Sequence, residues 1–598
     1  MRRSIKNRFS STALVTVTAL SASLFSGAVS ADVSRTDHQP ARSFAGAFLA
    51  AETARQDNDF TAAARYFEEA LSYDQGNQTI ERGLLIALLT DGRFEDAISI
   101  AERLTDEPSI SPTAFLTLGV DAMRAESYDT AHDLLSSTAR ADLERLIKTV
   151  MRGWTMQAQG DLDGALATVN DLVGPDWFNL FKAYHSGLMA QISGDADVAR
   201  EFFNGALANR AGGGASPLTY LRLAQASARL ELMSDDEAAA LDAIDRGLDL
   251  APTNPALLTL RETIDGSSAR LPLIANAREG AAEILLNLGS AINRDGSESF
   301  AALYIELARA LAPDSDNIAF ELGSIAERLD QPERAIAYYD LVAENSPLRR
   351  VASLQQGLNL ADLDRTEEAV AELEGLVEEN PADYRGYLAL GGIYSSERDW
   401  ENAAAVYERA LENINNDEPS YWPLHYRLAI AYERMKEWEK AEPRFLKALE
   451  LSPDRPDVLN YLGYSWVDMN MNLERGLEMI RKAVELRPRA GYIVDSLGWA
   501  YYRLGRFDEA VDQLERAAEL EPRDPTINDH LGDAYWRVGR RLEATYQWST
   551  SLDFEPEDDL RAKIEAKLDA ANTAGVLPEI AIAISDDESA AQQASDGG

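Results

Sequence analysis

Residues Gly491 to Asp558 can be laid on themselves at a 34-residue offset, so that Leu497-Gly498 falls on Leu531-Gly532, Tyr501 on Tyr535, Ala510 on Ala544 and Pro522 on Pro556. A period of this length constrains the fold more than any composition does. One helix-turn-helix unit has too little apolar surface to offset its own ordering, so it must stack on copies of itself. The Leu-Gly and Ala positions let two helices approach closely, and the proline ends the second helix where the next unit begins.

The same register runs through most of the 598 residues. Counting each unit from the position seven before its glycine, units begin at Phe44, Gln78, Pro112, Leu146 and Leu180, with Ala63, Ala97, Ala131, Ala165 and Ala199 as the small residues where the second helix crosses the first. A stretched unit runs from Pro217 to Pro252. The register returns at Ala282, Asp316, Arg350 and Tyr384, with crossing residues Ala301, Ala335, Ala369 and Ala403, and the last starts are Trp422, Pro456, Gly491 and Pro525. That makes about fourteen units, divided into arrays over 44–252 and 282–557. Between them, 253–281 carries Pro255, Gly266 and Pro272 and is the candidate kink or boundary. Residues 558–574 place Leu560, Ile564 and Leu568 on one face, as an end-capping helix should.

The N-terminus has Arg2, Arg3, Lys6 and Arg8, an apolar run from Ala13 to Phe25, and Val29-Ser30-Ala31 before Asp32. This is the layout of a cleavable secretory signal over 1–31, followed by a polar leader over 32–43. Removing those four cations takes the net charge from −43 to −47. A field of that sign repels phosphate backbones, so nucleic acid is not expected as a partner. With no cysteine there is no disulfide, no thiolate metal site and no lipidation cysteine. No later stretch has the length of apolar residues a membrane helix needs. Residues 575–598 read as a disordered acidic tail, in which the apolar run VLPEIAIAI either tucks against the last helix or adds as a strand to a partner.

The Leu-Gly, Tyr, Ala and Pro spacing resembles the tetratricopeptide repeat. The resemblance implies an all-α, right-handed superhelical solenoid in which positions two, five, nine, twelve and thirteen of each unit line a concave groove. The stretches VLNYLGYSWVD, GYIVDSLGWAYYRLGR and TINDHLGDAYWRVGRRLEA are similar to long exported tetratricopeptide proteins of proteobacteria. Some of these are outer-membrane lipoproteins acting as adaptors that deliver substrates to a periplasmic carboxyl-terminal processing protease. This chain departs from them in lacking the lipidation cysteine.

The sequence offers no catalytic constellation. Its five histidines, His38, His132, His185, His425 and His530, lie in different segments, and none pairs with another across one helical turn. There is no nucleophile elbow, Walker loop or dinucleotide fingerprint. The glycine run at 211–215 lacks a following Gly-Lys-Ser/Thr and reads as a linker. Acidic pairs such as Asp235-Asp236 and Glu378-Glu379 read as solvated helix faces at this composition. No enzyme activity, metal or cofactor is expected.

Under the resemblance, the groove stripe of the last units reads Tyr426, Ile430, Arg434; Asn460, Tyr464, Asp468; Asp495, Trp499, Arg503; and Asp529, Asp533, Arg537, flanked by Tyr492, Tyr502 and Trp536. Rings beside paired charges suit an extended or helical peptide. The alternative is that Asp495 and Arg503 join inter-repeat ion pairs and Trp499 packs on its neighbour. The expected function is a non-catalytic scaffold or adaptor in the envelope of a Gram-negative bacterium, with proteins or peptides as partners. A structural component of an envelope or polysaccharide-export assembly is the alternative.

Overall fold

The structure is a computed structural model that describes residues 40–105, 112–137, 139, 141–209, 214–293, 296–414 and 418–573. The signal, most of the leader, most of the glycine run and the acidic tail lie outside the described residues. The described residues form thirty α-helices, two short 3-10 turns and no strand. Twenty-eight of the helices pair into fourteen antiparallel hairpins, from Phe44–Gln56 with Phe60–Tyr73 to Pro525–Arg537 with Arg541–Asp553.

Each hairpin is built by the same local chemistry. The turn between its helices contains a residue in the left-handed region, with φ from 56° at Glu126 to 86° at Gly194, and the turn before Leu473 adds a second, Asn472, at 44°. Glycine takes six of the fourteen turn positions, and Asn58, Asp235 and Asp330 are among those that carry the conformation without it. At Asp59, Asp161, Asp195, Asp236 and Asp399 the side chain then caps the second helix by accepting its third amide, as from Ala62 at 3.0 Å.

The helices of a hairpin cross where the sequence places small residues. Ala63, Ala97, Ala131, Ala165, Ala199, Ala301, Ala335, Ala369 and Ala403 have no exposed surface. On the first helix the glycine faces a side chain sixteen residues on. A Cβ at Gly498 would stand 2.5 Å from Leu514 Cγ, and one at Gly532 would stand 2.5 Å from Trp548 Nε1. Trp466, Tyr501, Tyr535 and Trp548 fill the core as the repeat requires.

The described residues divide into two compact units, 40–376 and 377–573. Within the first, several opening helices start ahead of the strict register, at Asp142, Phe178 and Ala277 rather than at Leu146, Leu180 and Ala282. Segment 253–281 lies inside this unit as a lone helix, Pro255–Glu262, and one 3-10 turn, Ser267–Arg270. Its backbone is tied down by Arg229, whose Nη1 donates to the carbonyls of Ser268 at 2.8 Å and Leu271 at 3.2 Å. In the second unit the capping helix, Asp558–Thr573, buries Ile564 fully, with Leu560 and Leu568 partly buried against the same core.

Gly391 and Gly392 are neighbours on one helix with opposite surroundings, which separates packing from propensity. A Cβ on Gly391 would collide with the ring of fully buried Tyr407, whereas one on Gly392 meets nothing within 4 Å. Gly391→Ala should cost about 1–3 kcal/mol in urea unfolding. Gly392→Ala should stabilise by up to about 1 kcal/mol.

Candidate functional site

The first helices of the hairpins present a row of side chains that is the candidate surface for a partner. In the first unit much of that row is covered by the chain itself. Helix Ala277–Ile292 is buried over most of its circumference, Glu283 and Asn287 included, and packs on Asp142–Ala158 and Phe178–Ile192, with Gly280 so close to the Trp154 indole that a Cβ would not fit. Tyr184 donates to Glu283 Oε1 at 2.9 Å, and Arg222 completes a buried ion pair with Glu283, whose Oε2 accepts from Nη2 at 2.6 Å. Burial opposes charge on both partners, yet each stays ionised, because the attraction between them raises the arginine and lowers the carboxyl. Further along, Arg309 donates to Gly92 O at 3.1 Å, Arg334 to Thr90 O at 2.7 Å and Gln331 to Asn58 O at 2.7 Å. Segment 277–339 therefore occupies the face that units two to five would otherwise offer. Nothing in the 34-residue spacing announces this.

In the second unit the twelve residues singled out from the sequence fall into two groups. Tyr426 is buried against Phe445 and Tyr461, with ring centroids 6.0 and 6.2 Å away, and Tyr492 donates to Asp457 Oδ1 at 2.8 Å. These two join the packing around Asp457 and Arg487. The other ten follow one continuous row over helices Pro456–Asp468, Gly491–Arg503 and Pro525–Arg537. Trp499 is sandwiched in that row, stacked on Tyr502 at 4.8 Å and on His530 at 4.0 Å. His530 Nδ1 lies 3.0 Å from both oxygens of Asp495. Arg503 pairs with Asp468 at 2.9 Å, and Arg537 Nε donates to Tyr502 Oη at 3.1 Å. Tyr464 and Trp536 are half-buried, the latter 5.5 Å from Trp548.

Two residues absent from the sequence-based set organise the end of this row. Lys567, on the capping helix, donates to Asp529 Oδ1 at 2.8 Å and Asp533 Oδ2 at 2.8 Å, while Trp548 Nε1 donates to Asp533 Oδ1 at 3.1 Å. Burial lifts the Asp533 carboxyl to about 6 despite Lys567. For His530, burial disfavours the charge, but Asp495, with Asp529 and Asp533 nearby, raises the imidazole above its ordinary value. The signal for Lys567 was its place beside Ile564 and Leu568 on the buried face of the cap. His530 had none beyond its following Asp529.

Three polar atoms in the row are buried with no hydrogen-bond partner among the described residues: Asn460 Oδ1, Trp499 Nε1 and Arg503 Nε. Each costs on the order of 1–3 kcal/mol, so their clustering on one stripe is a feature to be explained. Among the described residues no group of three His, Asp or Glu side chains is placed to hold a metal ion, and no helix is long and apolar enough to cross a membrane.

Stacked helical hairpins with an aromatic and charged row along their first helices define a repeat array of the protein-binding class. The description "TPR repeat" matches residues 498–539, and "Tetratricopeptide repeat" matches 54–108, 354–418 and 422–455. The chain is a tetratricopeptide-repeat protein. The TPR repeat-containing protein PA4667 of Pseudomonas aeruginosa is 28% identical over 201 residues, 33% of this chain and 32% of that protein. Protein CTR9 homolog of Arabidopsis thaliana is 29% identical over 118 residues, 20% of this chain and 11% of that protein. The chain thus spans about a third or less of the length of these relatives. Among solved structures, the Cut9–Hcn1 hetero-tetramer of the APC/C is 15% identical, covering 77% of this chain and 97% of its own, with a TM-score of 0.31. A tetratricopeptide repeat protein from Parabacteroides merdae is 12% identical, covering 43% and 98%, with a TM-score of 0.35.

Lys567→Met keeps the packing of the side chain but leaves two carboxylates facing each other. It should loosen the cap by on the order of 3 kcal/mol, seen as faster hydrogen exchange over 558–573 with 384–413 unchanged. His530 gives a pH signature. Its raised folded pKa means that its contribution is fully present below about pH 6.5 and is lost as pH rises through the folded value. His530→Gln should therefore destabilise Pro525–Arg537 more at pH 6 than at pH 9, measured by exchange at each pH.

Proposed function

We propose that this protein is a non-catalytic scaffold or adaptor of the bacterial envelope, exported through residues 1–31, that holds proteins or peptides along the first-helix row of its second unit. The observation that carries this reading is the set of orphaned polar atoms of Asn460, Trp499 and Arg503 on one stripe, bordered by the half-buried Tyr464 and Trp536. An extended peptide laid on that stripe covers the rings and brings backbone donors and acceptors to it. The corresponding face of the first unit is covered by segment 277–339, so the second unit is the better placed of the two to bind. The resemblance to exported proteobacterial adaptors makes a carboxyl-terminal processing protease, or its substrates, the first partner to try.

The test is capture from a periplasmic extract with crosslinks mapped to residues, comparing wild type with Tyr464→Ala/Trp536→Ala. These side chains are partly exposed at the edge of the core, so the double variant should keep its helical content while losing about tenfold or more of the bound partner. Identical partner lists from two correctly folded proteins would overturn the assignment of the row. A stoichiometric membrane complex containing no protease or substrate would favour a structural component of an envelope assembly instead.

A further inference from the structure

The break between the regular repeats walls a cavity of about 720 Å³ in the first unit. Helix Pro217–Met233 forms one side, the irregular segment 256–274 another and helix Ala277–Ile292 a third, and the loops around Pro313 and Pro347 close it. This volume falls within the ~300–1,000 Å³ typical of small-molecule sites. Its apolar lining includes Leu260, Ile274, Leu286 and Ile318, all at most 5% exposed.

The polar groups of the wall are unevenly satisfied. The carboxylates that line it are engaged: Glu283 with Arg222, Glu279 with the amide of Ala275 at 2.8 Å and Asn276 Nδ2 at 2.9 Å, and Asp316 with the amide of Ala343 at 2.9 Å. Asp314 is exposed. The donors are not engaged to the same degree. Gln225, only 7% exposed, lines the cavity and makes no hydrogen bond among the described residues. Arg278 has no hydrogen bond or ion pair there, and its Nε is buried and orphaned. Arg229 bonds two backbone carbonyls through Nη1 but leaves Nε buried without a partner and has no carboxylate beside it. Burial and the like charge of Arg222 lower the Arg229 guanidinium from its ordinary value, as expected of a cation lacking a counter-ion. In a chain of net charge −43, two guanidinium groups without an anionic partner lining one cavity of mixed polar and apolar walls are a departure from the general pattern.

We infer that this cavity is a binding site for a carboxylate carried on an apolar body, with Arg278 and Arg229 receiving the carboxylate, Gln225 donating to it, and Leu260, Ile274, Leu286 and Ile318 enclosing the apolar part. A guanidinium matches a carboxylate in shape and charge, and the enclosed setting strengthens the pair. The site lies in the first unit and is independent of the row assigned to protein partners. The same chemistry is offered by a medium-chain fatty acid and by the C-terminus of an apolar peptide.

The full-length mature chain is titrated by calorimetry with octanoate and with N-acetyl-leucyl-leucine, each beside its uncharged amide, and with inorganic phosphate. One of the two carboxylates should bind in the micromolar to low-millimolar range, at least about tenfold more tightly than its amide, and which one binds identifies the source. Arg278→Gln, a change at a side chain that makes no hydrogen bond or ion pair among the described residues and has only the Tyr128 ring as an electrostatic neighbour, should weaken that binding about tenfold or more, and Gln225→Leu should weaken it less. Four results would each overturn the site: no binding of either carboxylate up to about 10 mM, equal binding of the amide, binding of phosphate as tight as the carboxylate, or an unchanged affinity in correctly folded Arg278→Gln.

Discussion

Everything in this molecule depends on the close crossing of two helices at a residue with little or no side chain. Gly498 against Leu514, Gly532 against Trp548 and Gly391 against Tyr407 bring one helix down onto the other, and the buried alanine of the second helix completes the contact. Such a contact is made between residues a few turns apart in the chain. It fixes each hairpin locally and leaves the outer faces of the hairpin to find neighbours. Stability is then distributed along the array, and a local fault has a mostly local effect. That is why the single substitutions of interest here are read out by segment.

The two units use their first-helix rows in different ways. In the first, a helix buried over most of its circumference is laid on the row, and a buried Arg222–Glu283 pair with Tyr184 fixes it there. A buried pair of this kind is weak evidence for stability but specifies position well, since no other register satisfies both charges. In the second, the row holds a stack of Tyr502, Trp499 and His530 with carboxylates beneath it, and the cap reaches in with Lys567. The half-buried rings and orphaned polar atoms that remain are the stripe proposed to hold a partner.

The irregular segment 253–281 shows how a lapse in the repeat acquires chemistry. Regular hairpins pack closely because each supplies the surface that the next one needs. Where one hairpin is replaced by a single helix and a 3-10 turn, its neighbours still meet at the Arg222–Glu283 pair, but the gap beside that contact keeps both apolar walls and unpaired donors. The sequence marks the lapse through Pro255, Gly266 and Pro272 but does not show that it encloses space.

The sequence by itself determined the hairpins, about how many there are and ten of their fourteen starts, because period, crossing glycines and closing prolines are local properties repeated every 34 residues. It also named the row of the last units, since residues four apart on a helix share a face whatever surrounds them. Only the tertiary structure decided which rows stay available. Glu283 reaches Tyr184 across 99 residues, and Lys567 reaches Asp529 across 38. Distances along the chain of that size follow from how repeats stack rather than from any one repeat. Thus Asp495, Asp529 and Asp533, which the sequence presents as groove charges, are drawn into pairs with His530 and Lys567, because a charge buried in an apolar stack must find its counter-charge there.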